Sequence, residues 1–403
     1  MTIMIGWLMY NTMIYLGLTG WVAMVKVRLP RVEWSPVELA SRLSRRGIRF
    51  NFASGSPDPG LIPLSRIREA VEHVLSEYGT GALAYPGAGG FKGLRVEVAR
   101  YLRDYLGVSA DWRDVVISSG AQHAIKLLAQ LLVRRGVRVY VEDPTFYETL
   151  APFRFQGGRV VGIRITNNGM DIGQLAKAVD EGGVVYTIPS CHNPTGVSMS
   201  EESRRELVKL AEERGLVVVE DDPYTILSSN VLRPLRALSS SVIYVGTFSK
   251  VLGPGFRVGF VVAPGWLRGS LERLEQHDFS TSTLTQLVVY ELLRMGVISE
   301  VLGKARSTYR GKLNRLIEAL NNYMPGSLQF NPSCGFYALV RLGVNAERLL
   351  RTAVKFGLTY VPASRFFIGK GPVDSARLSI GVIKAEDIED GVKLLSRLVK
   401  DQY

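Results

Sequence analysis

Between residues 115 and 220 short apolar runs rich in valine and isoleucine alternate with amphipathic helical stretches, and this alternation restricts the fold more than any other feature. The strand-like runs cover residues 115–119, 137–142, 158–165, 184–188 and 217–220. Helical patterns fill 123–133, the stretch up to 179, and 200–214. A strand–helix–strand rhythm of this kind predicts a mostly parallel sheet with helices on both faces. In such sheets ligands lie beyond the carboxyl ends of the strands. The polar residues just after each apolar run are therefore the candidates for chemistry.

Three strand ends carry them. Residues 189–196 read Pro-Ser-Cys-His-Asn-Pro-Thr-Gly, 221–224 read Asp-Asp-Pro-Tyr, and the run 242–245 enters Gly246 and then Thr247-Phe248-Ser249-Lys250. Seven residues later comes Arg257, after the turn Leu252-Gly253-Pro254-Gly255-Phe256, and strand character returns at 258–262. A lysine held between two buried strands beside another cation loses its proton readily and becomes a nucleophile. Thr247, Ser249 and Arg257 are the donor types that hold a phosphate dianion. Earlier, the strand 115–119 opens at Gly120-Ala121-Gln122 into a helix, where free N–H groups and the positive helix end make an anion site. A nucleophilic lysine with a phosphate cradle is the minimum equipment for pyridoxal 5′-phosphate.

Length and composition leave room for such an enzyme and narrow the alternatives. The 403 residues, 46% hydrophobic, suffice for two domains with a large core. The formal net charge of +12 is spread along helices and mixed with Glu and Asp, with no arginine-rich or aromatic-basic motif, so no nucleic-acid partner is expected. The four histidines show no metal-ligand spacing, so no metal is expected. Cys191 and Cys334, far apart in sequence, are read as forming neither a disulfide framework nor a metal site, with a reducing compartment as the default. Residues 1–23 carry no charged side chain and approach the ~20 residues that span a bilayer. They lack a basic start and a small-residue cleavage site, contain Asn, Thr and Gly, and precede an internal Met24. A mis-assigned start or a dimer-covering arm ranks above a membrane anchor. The glycine-rich loop 85–90 fails the G-x-G-x-x-G pattern and has no strand leading in.

Taken together and in order, Ser119-Gly120-Ala121-Gln122, Asn193-Pro194-Thr195-Gly196, Asp221-Asp222-Pro223-Tyr224, Thr247-Phe248-Ser249-Lys250 with Arg257, and Arg377-Leu378-Ser379 resemble the motifs of class I/II, fold type I pyridoxal-phosphate aminotransferases. The Glu-Asp-Asp-Pro-Tyr form resembles the branch with 2-aminoadipate and kynurenine transaminases and the aminotransferase domain of MocR-like regulators. The resemblance covers about residues 35–400. It implies an α/β fold type I architecture: a large domain on a mostly parallel seven-stranded sheet, plus a smaller αβ domain. The implied boundaries are an apolar extension or arm at 1–34, small-domain residues at 35–75, the large cofactor-binding domain at 76–285 and a small C-terminal domain at 286–403.

The resemblance also implies residue roles. Lys250 would carry the cofactor covalently and then move a proton on the substrate. Asp221 would pair with the pyridine nitrogen, its alternative being a helix N-cap. Asn193 and Tyr224 would bond the ring oxygen, and Phe146 would stack on the ring face. Gly120, Ala121, Gln122, Thr247, Ser249 and Arg257 would hold the phosphate, with Tyr85 reaching the phosphate of a neighbouring subunit in a homodimer. Arg377 would clamp the substrate α-carboxylate, Asn193 would also face the substrate, and Gly55 would permit close backbone approach. The expected function is ping-pong transamination in the cytoplasm between an L-amino acid (2-aminoadipate, aromatic or branched-chain) and a 2-oxo acid, with 2-oxoglutarate as the expected common partner. The alternatives are a β-lyase or decarboxylase using the same cofactor, or a MocR-like sensor without its DNA-binding domain.

Overall fold

Strands β2 (Val115–Ser118), β3 (Arg138–Asp143), β4 (Arg159–Thr166), β6 (Val184–Thr187), β7 (Val217–Asp221), β8 (Ile243–Thr247) and β9 (Gly259–Val262) form one sheet, with a two-residue strand β5 (Gly169–Met170) at its edge. A further short strand, β1 (Phe50–Asn51), lies outside it. The coordinates are a computed structural model, which describes residues 34–43, 47–180 and 182–402. The apolar stretch 1–23, read as a mis-assigned start, an arm or an anchor, lies outside the described residues. Among the described residues no helix is long and apolar enough to cross a membrane.

The sheet order is β2-β9-β8-β7-β6-β3-β4-β5. Neighbours from β4 through β8 pair in parallel, while β9 runs antiparallel to both β8 and β2. This is the expected seven-stranded, mostly parallel sheet; the eighth strand is only a hairpin return paired with the end of β4. Its strands are apolar nearly throughout because both faces are covered. Alternate residues show this: Val139, Val141, Val184, Tyr186 and Val219 pack with the helices Ala121–Leu132 and Tyr147–Phe155. Tyr140, Val185 and Val218 point the other way, against Leu207 and Ala211 of the helix Glu201–Arg214.

The C-terminal part builds a second, three-stranded antiparallel sheet from β10 (Tyr337–Arg341), β12 (Val361–Pro362) and β13 (Ser375–Ser379), in the order β10-β13-β12. The strand β11 (Leu358–Thr359) instead pairs in parallel with β1, joining the chain's early residues to its late ones. The helical stretch that ends at Tyr323 is two helices, Thr283–Arg294 and Val297–Tyr323. Gly296, at φ +71°, breaks it, because that left-handed conformation is open to glycine at little steric cost.

Candidate active site

The parallel register brings the ends of β6, β7 and β8 level. Thr187 pairs with Glu220, and Asp221 with Val245. The segments that follow these strands therefore converge at one edge of the sheet. Opposite them lie the segment after β1 and the strands β10 and β13. Between them is a cavity of about 610 Å³ lined by Gly55, Ala121, Gln122, Phe146, Asn193, Asp221, Tyr224, Thr247, Ser249, Lys250, Arg257 and Arg377, all sequence-predicted. Gly120 stands just behind it as the residue preceding the helix Ala121–Leu132. Tyr85 is not brought in; it is 79% exposed and packs on Phe279.

One end of the cavity is shaped for an anion. The helix Ala121–Leu132 begins at Gly120 with no side-chain cap on its first N–H groups, and its first two residues, Ala121 and Gln122, line the cavity. Gly120 sits at φ +79°, a conformation glycine adopts at little steric cost, and a Cβ there would overlap the Arg257 guanidinium where it now lies. Arg257, itself left-handed at φ +52°, donates to the Ser119 carbonyl at 3.0 Å. The Thr247 hydroxyl donates to Ser249 Oγ at 2.9 Å and accepts from the Ser249 N–H at 3.2 Å. Gln122 contributes through its place in the first turn, since its side-chain amide is turned to the Glu148 carbonyl at 2.7 Å.

The other end is a buried polar cluster. Asp221 Oδ2 accepts from the Tyr186 hydroxyl at 2.6 Å, while Asp221 Oδ1 is buried without a partner. Burial raises the Asp221 carboxyl to about 7; the Tyr186 hydrogen bond and the Lys250 charge pull it down, and Asp222 pushes it up. The alternative reading of Asp221 as a helix cap fails, because Asp222 accepts from the Thr225 N–H at 3.0 Å and from Tyr244 at 3.0 Å instead. Burial also holds the Tyr224 hydroxyl well above its ordinary value, so it stays protonated and can donate. Lys250 Nζ donates to the Gly55 carbonyl at 3.0 Å and lies 5.8 Å over the Tyr224 ring. Arg377, 1% exposed, donates to the Ala53 carbonyl at 2.6 Å and to Asn193 Oδ1 at 3.2 Å, with its Nε unpartnered.

Beneath Asn193, His192 Nε2 and Glu142 Oε2 lie 3.9 Å apart, each without a hydrogen bond. Burial lowers His192 to about 3 and raises Glu142 to about 7. The same loop overturns the reading of the cysteines, because Cys191 and Cys334 form a disulfide. Their 143-residue separation hides the contact in sequence. The fold seats Ser333 and Gly335 on the Cys191–Gly196 loop: the Ser333 N–H donates to the Gly196 carbonyl at 2.8 Å, and a Cβ on Gly335 would meet Cys191 Cβ at 2.6 Å.

Sequence reasoning also missed Tyr186 and Tyr337. Tyr186 had one visible signal, a phenol interrupting the β-branched run of β6. Tyr337, at the start of β10, bonds the Tyr224 hydroxyl at 3.0 Å, and nothing local marks it.

Pyridoxal 5′-phosphate fits these residues. The unpartnered, desolvated Asp221 oxygen needs a cationic N–H such as a protonated pyridine nitrogen. The Gly120–Arg257 cradle suits a phosphate dianion, and Lys250 lies in the same cavity as both. Among the described residues no group of His, Cys, Asp or Glu could hold a metal.

Comparison with known proteins agrees. The family described as Aminotransferase class I and II matches residues 48–393. The aromatic-amino-acid aminotransferase 1 of Thermococcus litoralis is 30% identical over 368 residues, 88% of each chain. The 2-aminoadipate transaminase of Thermus thermophilus is 34% identical over 383 residues, 92% of this chain and 95% of that one. The crystal structure of Pyrococcus horikoshii kynurenine aminotransferase, in complex with PMP, superposes with a TM-score of 0.85 at 30% identity, covering 92% of this chain and 95% of that one. The chain belongs to the class I and II aminotransferases, with the fold type I architecture and pyridoxal 5′-phosphate as its cofactor.

Proposed function

We propose that this aminotransferase works by ping-pong between an L-amino acid and a 2-oxo acid, with glutamate and 2-oxoglutarate as one pair. The other pair is drawn from 2-aminoadipate, aromatic and branched-chain amino acids, the first two being the classes in the names of the relatives above. The observation that carries this reading is Arg377: a buried guanidinium in the same cavity as Lys250, with its Nε unpartnered. An α-carboxylate is the ligand such a fork matches, because two parallel charge-assisted N–H···O bonds both neutralise and orient it.

The bound cofactor supplies an electron sink that stabilises negative charge at the substrate Cα. This chain's residues direct that chemistry. Asp221 would hold the proton on the ring nitrogen, Asn193 and Tyr224 would bond the ring oxygen, and Phe146 would cover a ring face. Gly120, Ala121, Gln122, Thr247, Ser249 and Arg257 anchor the phosphate. Lys250 would hold the cofactor covalently and, once released, would be the base that moves the proton at the substrate Cα. Gly55 keeps a backbone carbonyl within reach of Lys250. A homodimer with shared sites belongs to the same proposal: Tyr85, exposed in the single chain, serves the phosphate of a second copy. A cytoplasmic location is compatible with the disulfide, whose sulfurs are buried and poorly reached by thiols.

The test is a donor screen against 2-oxoglutarate with wild type and Arg377→Lys. Glutamate formation from one of the three donor classes is expected, with the variant's KM for that donor raised about tenfold to a hundredfold. Keto-acid or amine release without glutamate would instead identify lyase or decarboxylase chemistry.

A further inference from the structure

Tyr337 has no role in the account so far, yet it touches three of the groups in it. Its hydroxyl lies 3.0 Å from that of Tyr224, its ring lies 4.5 Å beneath the Arg377 guanidinium, and a Cβ on Gly55 would come within 2.6 Å of its hydroxyl. Both phenols are almost completely buried, Tyr224 at 3% and Tyr337 at 2% exposure. The side-chain-free Gly55 thus leaves the space that the Tyr337 hydroxyl uses.

A hydroxyl pair contains two protons, and only one can lie between the oxygens. If Tyr224 donated to Tyr337, its proton would be unavailable to anything in the cavity. A guanidinium on a phenol's face draws density from the ring and favours the arrangement in which that phenol donates. Arg377 covers Tyr337 at 4.5 Å, whereas the nearest cation over Tyr224, Lys250, is at 5.8 Å. The balance therefore places the shared proton on Tyr337.

We infer that Tyr337 is a positioning residue: by donating its hydroxyl proton to Tyr224, it turns the Tyr224 proton into the cavity, toward the ring oxygen of the cofactor. The inference rests on the proposed placement of Tyr224 against that oxygen. The Tyr337 donation polarises the Tyr224 O–H, so the two bonds strengthen each other. Tyr224 then favours the anionic form of the ring oxygen and, through it, the deprotonated form of the Lys250–cofactor linkage. Removing the Tyr337 hydroxyl weakens that preference and raises the pH at which the linkage loses its proton.

The experiment is a pH titration of the visible absorbance of the cofactor-loaded protein, with wild type, Tyr337→Phe, Tyr224→Phe and the double variant. Phenylalanine keeps the ring under Arg377 and removes one oxygen. Tyr337→Phe is expected to raise the midpoint by about half a pH unit, the transmitted part of one buried neutral hydrogen bond. Tyr224→Phe should raise it further, and Tyr337→Phe should add nothing in that background. Gly55→Ala, which crowds the Tyr337 hydroxyl while leaving Tyr224 in place, should shift the midpoint upward too, and the shift should vanish in the Tyr337→Phe background. A purely structural role for Tyr337 moves thermal stability and leaves the midpoint alone. A midpoint unmoved by Tyr337→Phe but moved by Tyr224→Phe overturns the role of Tyr337 alone. One unmoved by Tyr224→Phe overturns the placement of Tyr224 and this inference with it.

Discussion

The two ends of the cavity are built in opposite ways. The anion end joins two motifs, each local in itself: a helix N-terminus behind one glycine and a turn carrying an arginine, which lie 138 residues apart and are brought together by the pairing of β2 with β9. The ring end is made of single side chains from β6, β7, β10 and β13 that meet only because the fold brings them together, and all are buried. Main-chain N–H groups and an always-charged arginine hold an anion with little sensitivity to pH. A desolvated carboxyl and coupled phenols tune proton affinities instead. The anion end should thus govern how tightly the cofactor binds, and the ring end how fast the bound cofactor turns over.

Substitutions test that division. Lys250→Ala stands at the junction and should lower kcat by at least about 10⁴-fold while still admitting cofactor, read by single-turnover kinetics and by cofactor titration. Asp221→Asn removes the charge from the ring end and should lower kcat about 10³-fold, with the cofactor dissociation constant much less affected. Arg257→Ala should do the reverse, weakening cofactor binding roughly tenfold to a hundredfold, with kcat largely restored at saturating cofactor. A kcat defect in Arg257→Ala that persists at saturation would break the comparison. Tyr186→Phe leaves Asp221 its charge but removes a donor, and should lower kcat only about threefold to tenfold.

The ring end should also show itself in the cofactor-free protein. Asp221 and Glu142 are both raised in the folded state to about 7. A carboxyl with a raised folded pKa binds its proton more tightly folded than unfolded, so its loss costs stability. These two carboxyls should therefore make the stability of the cofactor-free protein fall as pH rises from the ordinary carboxyl range toward about 7, against the opposite contribution of the buried His192, measured by urea unfolding of wild type and of Asp221→Asn. Loading the cofactor should flatten this slope by giving Asp221 a cationic partner. An equal slope with and without cofactor would place Asp221 away from the ring nitrogen.

The same contrast explains what was legible in the sequence. Strand and helix periods and the loop motifs 119–122 and 247–257 are local, and both the sheet and the anion end follow from them. Asn193 and Asp221 were legible as strand-end polar residues within ordered motifs, and Arg377 only through the family resemblance. Tyr186, Tyr337 and the Cys191–Cys334 bridge were not, because each has meaning only through a partner far along the chain: Asp221, Tyr224 and the opposed cysteine. The local reading of Asp221 as a helix cap is wrong, because the bond to the following turn is made by its neighbour Asp222, which accepts from the Thr225 N–H.

The most direct test of the account is to reduce the cofactor-loaded protein with borohydride and locate the phosphopyridoxyl group by peptide mass spectrometry. The account predicts the label on Lys250, and its loss when the protein is first incubated with an amino-group donor. A label on another lysine, or one that no donor removes, would contradict it.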